Sequence, residues 1–311
     1  VSLLVLLYAL GEGEYGSLFY GTYAIAVVGM TGVILSADLF NLFVFFEVLS
    51  LSAAILIAYK RGLPALYAAY RYLLITVFAV AIYLVGLFIV YRATGELAFS
   101  AVASMIRDGV TVPSVAALLL FGGVAVRAAL VPFHLWLPAA HSLAPHPVSA
   151  LLSGLMLKAA FIALWRVVTT FDGFSPLREL LLYAGLLSAL VGVILALSQS
   201  DVKRLLAFHS VSQMGYVAVA AAAGALTGAL YHALGHGIFK SLLFLSVGYF
   251  VSRGGTRNVY ELGRPAGGGV FLPGAALLIG AAAISGVPPF VGFAGKGLIG
   301  AGLKGGVPYA I

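Results

Sequence analysis

The sequence predicts an all-α membrane protein with about ten transmembrane helices. Of its 311 residues, 62% are hydrophobic and only 9% are charged, whereas an average soluble domain carries about 25% charged residues. So few charges do not cover the surface of a soluble protein of this length. Apolar runs of about 20 residues, the length that a helix needs to cross a bilayer, recur from end to end. These observations exclude an ordinary soluble enzyme, a nucleic-acid-binding protein and a disordered chain. A membrane barrel is excluded as well, because the runs are continuously apolar and do not alternate.

Ten apolar segments follow one another along the chain, and each is predicted to be a helix. The longer connection at 92–114 contains a stretch, 100–107, that suits a short interfacial helix. No linker or change of composition divides the chain, so we predict one membrane domain over residues 1–311. Because the chain begins at Val1 and stops within apolar sequence at Ile311, we expect a piece of a longer protein. The segments lie at 18–36, 39–59, 64–91, 115–137, 147–171, 178–198, 205–223, 227–252, 268–286 and 288–304.

Prolines interrupt the apolar sequence in two places. Pro132 and Pro138 lie in the fourth segment, and Pro288 and Pro289 lie at the junction of the last two. Proline removes a backbone donor and breaks a helix, and in lipid the freed carbonyl groups must be satisfied by protein or internal water. Broken helices in corresponding places of two halves indicate a transporter site. A kink that serves only packing is the alternative.

Five charged residues fall well inside the apolar segments, where each costs roughly 2.5–3.5 kcal/mol at a helix centre. Snorkelling helix ends or structural ion pairs would explain one such residue but not five in five segments, so we interpret them as an ion path. Glu47 is the one carboxylate of this set and needs a counter-ion or a proton, and Arg127 is its candidate partner. A buried lysine can exchange protons, whereas arginine keeps its charge. The five are Glu47, Arg127, Lys158, Lys240 and Lys296.

Six histidines accompany these charges. His232, His236 and Lys240 are spaced four residues apart and share one helix face, which favours a proton or ion path over a satisfied core histidine. His209, near a helix entrance, suits a hydrogen bond as well as a proton relay. No carboxylate or cysteine lies near the histidines in sequence, so no metal site is predicted. A packed, partly interfacial role is predicted for the three around the first break, His134, His141 and His146.

Six longer stretches occur in a characteristic order. They run from Asp38 to Glu47, Arg127 to His141, Ala144 to Lys158, Ser198 to Tyr216, His232 to Lys240 and Gly286 to Lys296. In these stretches the chain resembles the antiporter-like membrane subunits of respiratory complex I, of Mrp-type Na+/H+ antiporters and of membrane-bound hydrogenases. The first stretch is most similar to the D-type subunit of Mrp antiporters.

The resemblance implies two inverted five-helix repeats, at about 18–171 and about 178–304, each with one proline-broken helix. It also implies that Glu47 is the essential glutamate and Lys158 the central lysine. His232, His236 and Lys240 match the connecting polar helix, and Lys296 matches the terminal lysine. Arg127 departs from the family, which usually has lysine there. Because arginine keeps its charge at any accessible pH, the resemblance makes Arg127 a fixed counter-ion.

We therefore predict a proton- or sodium-translocating antiporter-like subunit in the inner or plasma membrane of a prokaryote, with other membrane subunits as partners. The chain has no cysteine and no redox-cofactor motif, so no cofactor is predicted. It is not catalytic alone, and it suits either an NADH dehydrogenase-like or hydrogenase complex or a cation antiporter. A non-pumping structural scaffold subunit is one alternative. A polytopic metal-dependent membrane enzyme is another, and it would need a carboxylate near the histidines.

Overall fold

The computed structural model describes residues 1–174, 176–262 and 270–305. Within these ranges the regular secondary structure is helical, apart from two isolated β-bridges. A 3₁₀ turn (Phe133–Leu135) and a π-helical turn (Leu152–Met156) interrupt the α-helices. The α-helices are α1 (Ser2–Glu12), α2 (Ser17–Leu35), α3 (Leu39–Ile57), α4 (Leu63–Thr94), α5 (Phe99–Arg107), α6 (Ser114–Arg127), α7 (Trp136–Leu143), α8 (His146–Leu151), α9 (Leu157–Thr170), α10 (Pro176–Leu197), α11 (Val202–Ala222), α12 (Leu226–Gly254), α13 (Phe271–Ser285) and α14 (Val291–Gly305).

Seven segments of the described chain are long and apolar enough to cross a membrane, by length and composition. They are α2, α3, α4, the joined segment His146–Thr170, α10, α11 and α12. The all-α membrane fold is therefore confirmed, but the helix lengths differ from the ten full spans expected. The other predicted segments form α6, α13 and α14, of 14, 15 and 15 residues. At about 1.5 Å per residue their described lengths are too short to cross alone, and a proline-containing break lies at one end of each.

Both predicted helix breaks are present. At the first break α6 ends at Arg127, Ala129 adopts a left-handed φ of 53°, and α7 begins at Trp136. The indole Nε1 of Trp136 donates to the carbonyl of Val126 at 2.9 Å, so the break recovers one freed acceptor within the protein. At the second break α13 ends at Ser285 and α14 begins at Val291. Gly286 lies between them with a φ of 85°, a conformation that glycine adopts without steric cost.

Two aspartates begin the helices α3 and α11 in the same way. The Asp38 side chain accepts a hydrogen bond from the backbone of Asn41 at 2.7 Å at the start of α3. Asp201 accepts from the backbone of Lys203 and Arg204, at 2.8 and 3.0 Å, at the start of α11. Each aspartate satisfies backbone donors that a helix start leaves unpaired. Each also forms an isolated antiparallel bridge, Asp38 with Ala98 and Asp201 with Asn258.

The helices pack through small residues and turn large apolar side chains outward. Exposed residues such as Phe78 and Leu190, at 66% and 59%, suit contact with lipid. Inside, α4 and α6 approach closely at Gly123, where an added Cβ would lie 2.7 Å from the Ala79 carbonyl oxygen and 2.8 Å from the Tyr83 Cβ. Small residues at such crossings are the usual means of close helix packing in membranes.

Replacing Gly123 by alanine is expected to destabilise the protein by about 1–3 kcal/mol, because the added methyl group overpacks a contact with rigid backbone. The adjacent Gly122 has no atom within 4 Å of an added Cβ, so Gly122→Ala is the matched control and should leave stability unchanged or slightly raised. Thermal unfolding of the purified protein measures both. Equal melting temperatures for the two variants would contradict the close α4–α6 contact.

Candidate functional site

Glu47 and Arg127 form an ion pair between α3 and the end of α6. Nη2 of Arg127 lies 3.2 Å from Oε1 of Glu47, as the sequence predicts. The two side chains differ in burial: 5% of Arg127 is exposed but 31% of Glu47 is. The carboxylate is therefore less buried than its place inside an apolar segment indicates. Glu47 lies on an outward stripe of α3 with Phe40, Val44 and Leu51, which are exposed by 46%, 37% and 53%.

The guanidinium of Arg127 also binds the two helices beside it. Nη1 donates to the Phe46 carbonyl at 3.2 Å and to the Ser50 hydroxyl, and Nη2 donates to the Thr76 carbonyl at 3.5 Å. The Phe46 ring lies 4.6 Å from the guanidinium carbon, within cation–π distance. Only one donor of the guanidinium thus reaches the carboxylate. Arg127 is a fixed cation that ties α3 and α4 to the first helix break.

Lys158 lies inside the protein, with 7% of the residue exposed. Its Nζ donates to the Ser153 carbonyl and contacts Nδ1 of His236. Ser153 belongs to the π-helical turn directly before α9, and such turns occur frequently at functional sites. Lys158 therefore faces the protein interior and not lipid, as predicted, and it contacts the polar stripe of α12.

A pair of serine hydroxyls extends from the Lys158 site toward Lys240. The Oγ atoms of Ser153 and Ser210 are 2.9 Å apart, and both residues are 0% exposed. Ser210 donates to the Leu206 carbonyl at 3.0 Å, and Nζ of Lys240 donates to the same carbonyl at 2.6 Å. Ser153, Ser210 and the Leu206 carbonyl thus form a connection between the two lysines. The sequence did not single out these serines, because isolated serines in apolar helices are common.

The His232, His236 and Lys240 stripe is buried as predicted, with exposures of 1%, 0% and 0%. Nε2 of His232 lies 2.9 Å from the amide oxygen of Gln213. Within the described residues, Nε2 of His236 and Nδ1 of His232 have no hydrogen-bond partner. Buried polar atoms without a protein partner are the sites that internal water binds. The described chain contains no group of three His, Cys, Asp or Glu that could hold a metal ion.

Lys296 lies at the second helix break. Its Nζ donates to the carbonyl groups of Ile284 and Ser285, at 3.2 and 3.0 Å, at the end of α13. The carbonyl end of a helix carries partial negative charge and favours a cation. An added Cβ on the neighbouring Gly295 would lie 2.8 Å from Nδ1 of His232. The beginning of α14 therefore packs against the polar stripe of α12.

The seven predicted residues do not form one continuous hydrogen-bonded chain. Contacts join Glu47 to Arg127 and Lys158 to His236, but no hydrogen bond among the described residues links these two groups. Beside Arg127 is a small cavity of about 10 Å³, close to the space of one water molecule. Its walls include Tyr72, Arg127, Trp136, Met156 and Ala160.

Comparison with known proteins gives the same family as the resemblance noted in the sequence. The family model described as "NADH:quinone oxidoreductase/Mrp antiporter, TM" matches residues 36–307. The chain belongs to this family. The matched region of this antiporter-like membrane subunit contains all seven predicted site residues. Family membership also makes the chain a multi-pass membrane protein.

Individual relatives come from different complexes. The chain is 37% identical over 297 residues to NADH-quinone oxidoreductase subunit N of Desulforudis audaxviator, covering 91% of this chain and 58% of the relative. It is 32% identical over 285 residues to the D-type Na+/H+ antiporter subunit of Alkalihalophilus pseudofirmus, covering 89% and 58%. A solved archaeal respiratory complex, the membrane-bound sulfane sulfur reductase, contains a chain that matches with a TM-score of 0.85 and 32% identity, covering 90% and 59%. The chain thus spans a little under three fifths of the length of these relatives.

Proposed function

We propose that this chain is a proton- or sodium-translocating subunit of a multisubunit membrane complex. The path consists of Glu47, Arg127, Lys158, His232, His236, Lys240 and Lys296. The charge at each of these positions changes the electrostatic energy of the next, so that ion movement is coupled along the row. The driving force comes from partner subunits or from an ion gradient.

The depth of three ionisable residues carries this proposal. Lys158 is the middle residue of His146–Thr170, and Lys240 is the middle residue of Leu226–Gly254. Glu47 lies within one residue of the middle of Leu39–Ile57. Charged groups at the centre of a bilayer are costly and mark ion pathways. We therefore expect the three positions near one depth, as a row parallel to the membrane plane requires.

The way the lysines are bound supports proton exchange. Among the described residues, no carboxylate forms an ion pair with Lys158 or Lys240, and both ammonium groups bind backbone carbonyls instead. A buried lysine without an anion is readily switched between its charged and neutral forms. The neighbouring histidine rings can carry the released proton.

The two halves of the path correspond to two inverted repeats within one membrane domain, at about 18–171 and 178–304. The matching starts of α3 and α11, with Asp38 and Asp201 in equivalent roles, support this correspondence. The two helix breaks support it too. The first comes after the long helices α2, α3 and α4, and the second comes after the long helices α10, α11 and α12. Opposed repeats carry two half-paths that reach opposite membrane surfaces.

Glu47 suits a role at the border with a partner subunit. Its side chain is partly exposed on an otherwise apolar stripe of α3, and a carboxylate facing lipid at mid-membrane is costly. A neighbouring membrane subunit therefore covers this stripe and contributes a polar or cationic group near the free side of the carboxylate.

Replacing Glu47 by glutamine tests the proposal, because glutamine keeps the shape of the side chain but cannot ionise. Proton and sodium fluxes are measured in vesicles that contain the complete complex, and normalised to the amount of assembled complex. We expect a loss of about a hundredfold, the lower end of the effect of removing a proton-transfer group.

Glu96 is exposed, so Glu96→Gln is the matched control and should transport at the normal rate. Unchanged transport in Glu47→Gln, at normal complex levels, would favour the alternative of a structural scaffold subunit. Comparing the proton flux with the sodium flux in the unmodified complex identifies the transported ion.

A further inference from the structure

Lys203 is a further buried lysine, for which the sequence predicts no site. It lies in the first turn of α11, and only 1% of the residue is exposed. Its Nζ donates to the carbonyl of Ala144 at 2.6 Å, directly after the end of α7. None of the ion pairs found in residues 1–174, 176–262 and 270–305 includes Lys203.

The binding mode of Lys203 is the same as that of the lysines on the proposed path. Lys158 binds the carbonyl of Ser153, Lys240 that of Leu206, and Lys296 those at the end of α13. In each case a backbone carbonyl, and no carboxylate, holds the ammonium group. A residue that only caps the end of α7 does not need to be a lysine. A neutral donor would satisfy the Ala144 carbonyl at a lower desolvation cost.

On one side Lys203 adjoins charged groups at the protein surface. Asp201, two residues earlier, has 25% of its side chain exposed, and Arg257 lies 3.9 Å from its carboxylate. Arg257, Asp201 and the exposed Lys60 are near enough to act electrostatically on Lys203. A partly exposed pair of charged side chains thus lies beside the buried ammonium group.

The Ala144 carbonyl that binds Lys203 lies between His141 and His146 in the chain, two buried histidines that the proposed path does not use. His146 has an unpartnered Nδ1, and both ring nitrogens of His141 are unpartnered among the described residues. The His141 ring stacks on Phe244 with 5.4 Å between centroids, and Nζ of Lys240 lies 5.9 Å from the centroid of the same Phe244 ring. Lys203 and Lys240 both act electrostatically on His141. Lys203, the two histidines and Phe244 thus form a row that runs from the surface at Asp201 inward to Lys240.

We propose that Lys203 is a proton-carrying residue that connects the surface at Asp201 and Arg257 with Lys240, through the histidines at the end of α7. Lys203 takes a proton from water at the surface and releases it inward, or carries it in the reverse direction. The bond to Ala144 holds the ammonium form between these steps. This inference rests on the proposed function and adds one end of the route to it.

Two substitutions separate proton transfer from a purely structural cap. Lys203→Arg keeps the positive charge and the donor to Ala144 but cannot release its proton. Lys203→Gln keeps a neutral donor. Transport is measured in vesicles with the complete complex and normalised to assembled complex, so that a lower yield does not alter the result. We expect transport to fall to the leak rate of the vesicles in both variants.

The adjacent Arg204 is exposed, and Arg204→Gln is the control that should keep normal transport. Normal transport in either Lys203 variant would overturn the inference, because it would reduce Lys203 to a cap of α7. Glu47→Gln is measured in parallel. If Glu47→Gln loses transport while Lys203→Arg keeps it, the inference on Lys203 fails and the proposed function stands. If Glu47→Gln itself keeps transport, the proposed function fails.

Discussion

Replacing Lys158 by leucine is expected to abolish ion transport while the complex still assembles. The residue lies at the middle of its membrane span and contacts both the π-helical turn and His236. Leucine removes the group that exchanges the proton, and replacing a buried charge by an apolar side chain is often neutral or stabilising. Transport per assembled complex should therefore fall to the leak rate, with no loss of thermal stability.

Lys158→Arg sharpens this test. Arginine keeps a positive charge but does not deprotonate in proteins, so it should also fail to support transport. Lys304 is exposed on α14, and Lys304→Leu is the control for the loss of one positive charge from the chain. Full transport by Lys158→Leu would reject a central path and would leave a scaffold role for this subunit.

Replacing Arg127 by alanine is expected to remove both transport and a large part of the stability. The guanidinium binds the Glu47 carboxylate, the Ser50 hydroxyl and carbonyl groups of α3 and α4. Removing the guanidinium leaves the partly exposed Glu47 carboxylate without its cation and buried hydroxyl and carbonyl acceptors without a donor, at about 1–3 kcal/mol for each buried group. Alanine also leaves a cavity at the first helix break. Flux measurements in vesicles and thermal unfolding of the complex report the two losses separately.

Arg127→Lys should keep transport, because lysine still supplies a cation to Glu47 and is the residue that the family usually carries at this position. Its stability should lie between those of the parent and Arg127→Ala, since one ammonium group cannot make every contact of the guanidinium. If the two residues act as a pair, the double variant Glu47→Gln/Arg127→Ala should lose little more thermal stability than Arg127→Ala alone. Additive losses would show that they act independently.

Much of the fold follows from the sequence because membrane insertion imposes simple rules. Long apolar runs must form helices to satisfy their backbone groups in lipid, and all ten predicted segments contain helices. Prolines at 132, 138, 288 and 289 indicated both breaks, since proline cannot continue the hydrogen-bond ladder. The spacing of His232, His236 and Lys240 placed them on one face because helical periodicity is local. The Glu47–Arg127 contact could be predicted because each was the best available partner for the other.

Other features depended on how helices distant in sequence pack together. The partial exposure of Glu47 follows from the outward direction of one α3 stripe, which the apolar pattern on all sides of that helix does not reveal. The Ser153–Ser210 bridge joins residues 57 positions apart, and the burial of Lys203 requires the end of α7 to lie against the start of α11. By itself the sequence determined which segments are apolar enough for the membrane, where they break and which charged residues they carry with them. Only the tertiary structure decided which of those charges meet, because the contacts between them depend on the packing and rotation of whole helices, which no local pattern encodes.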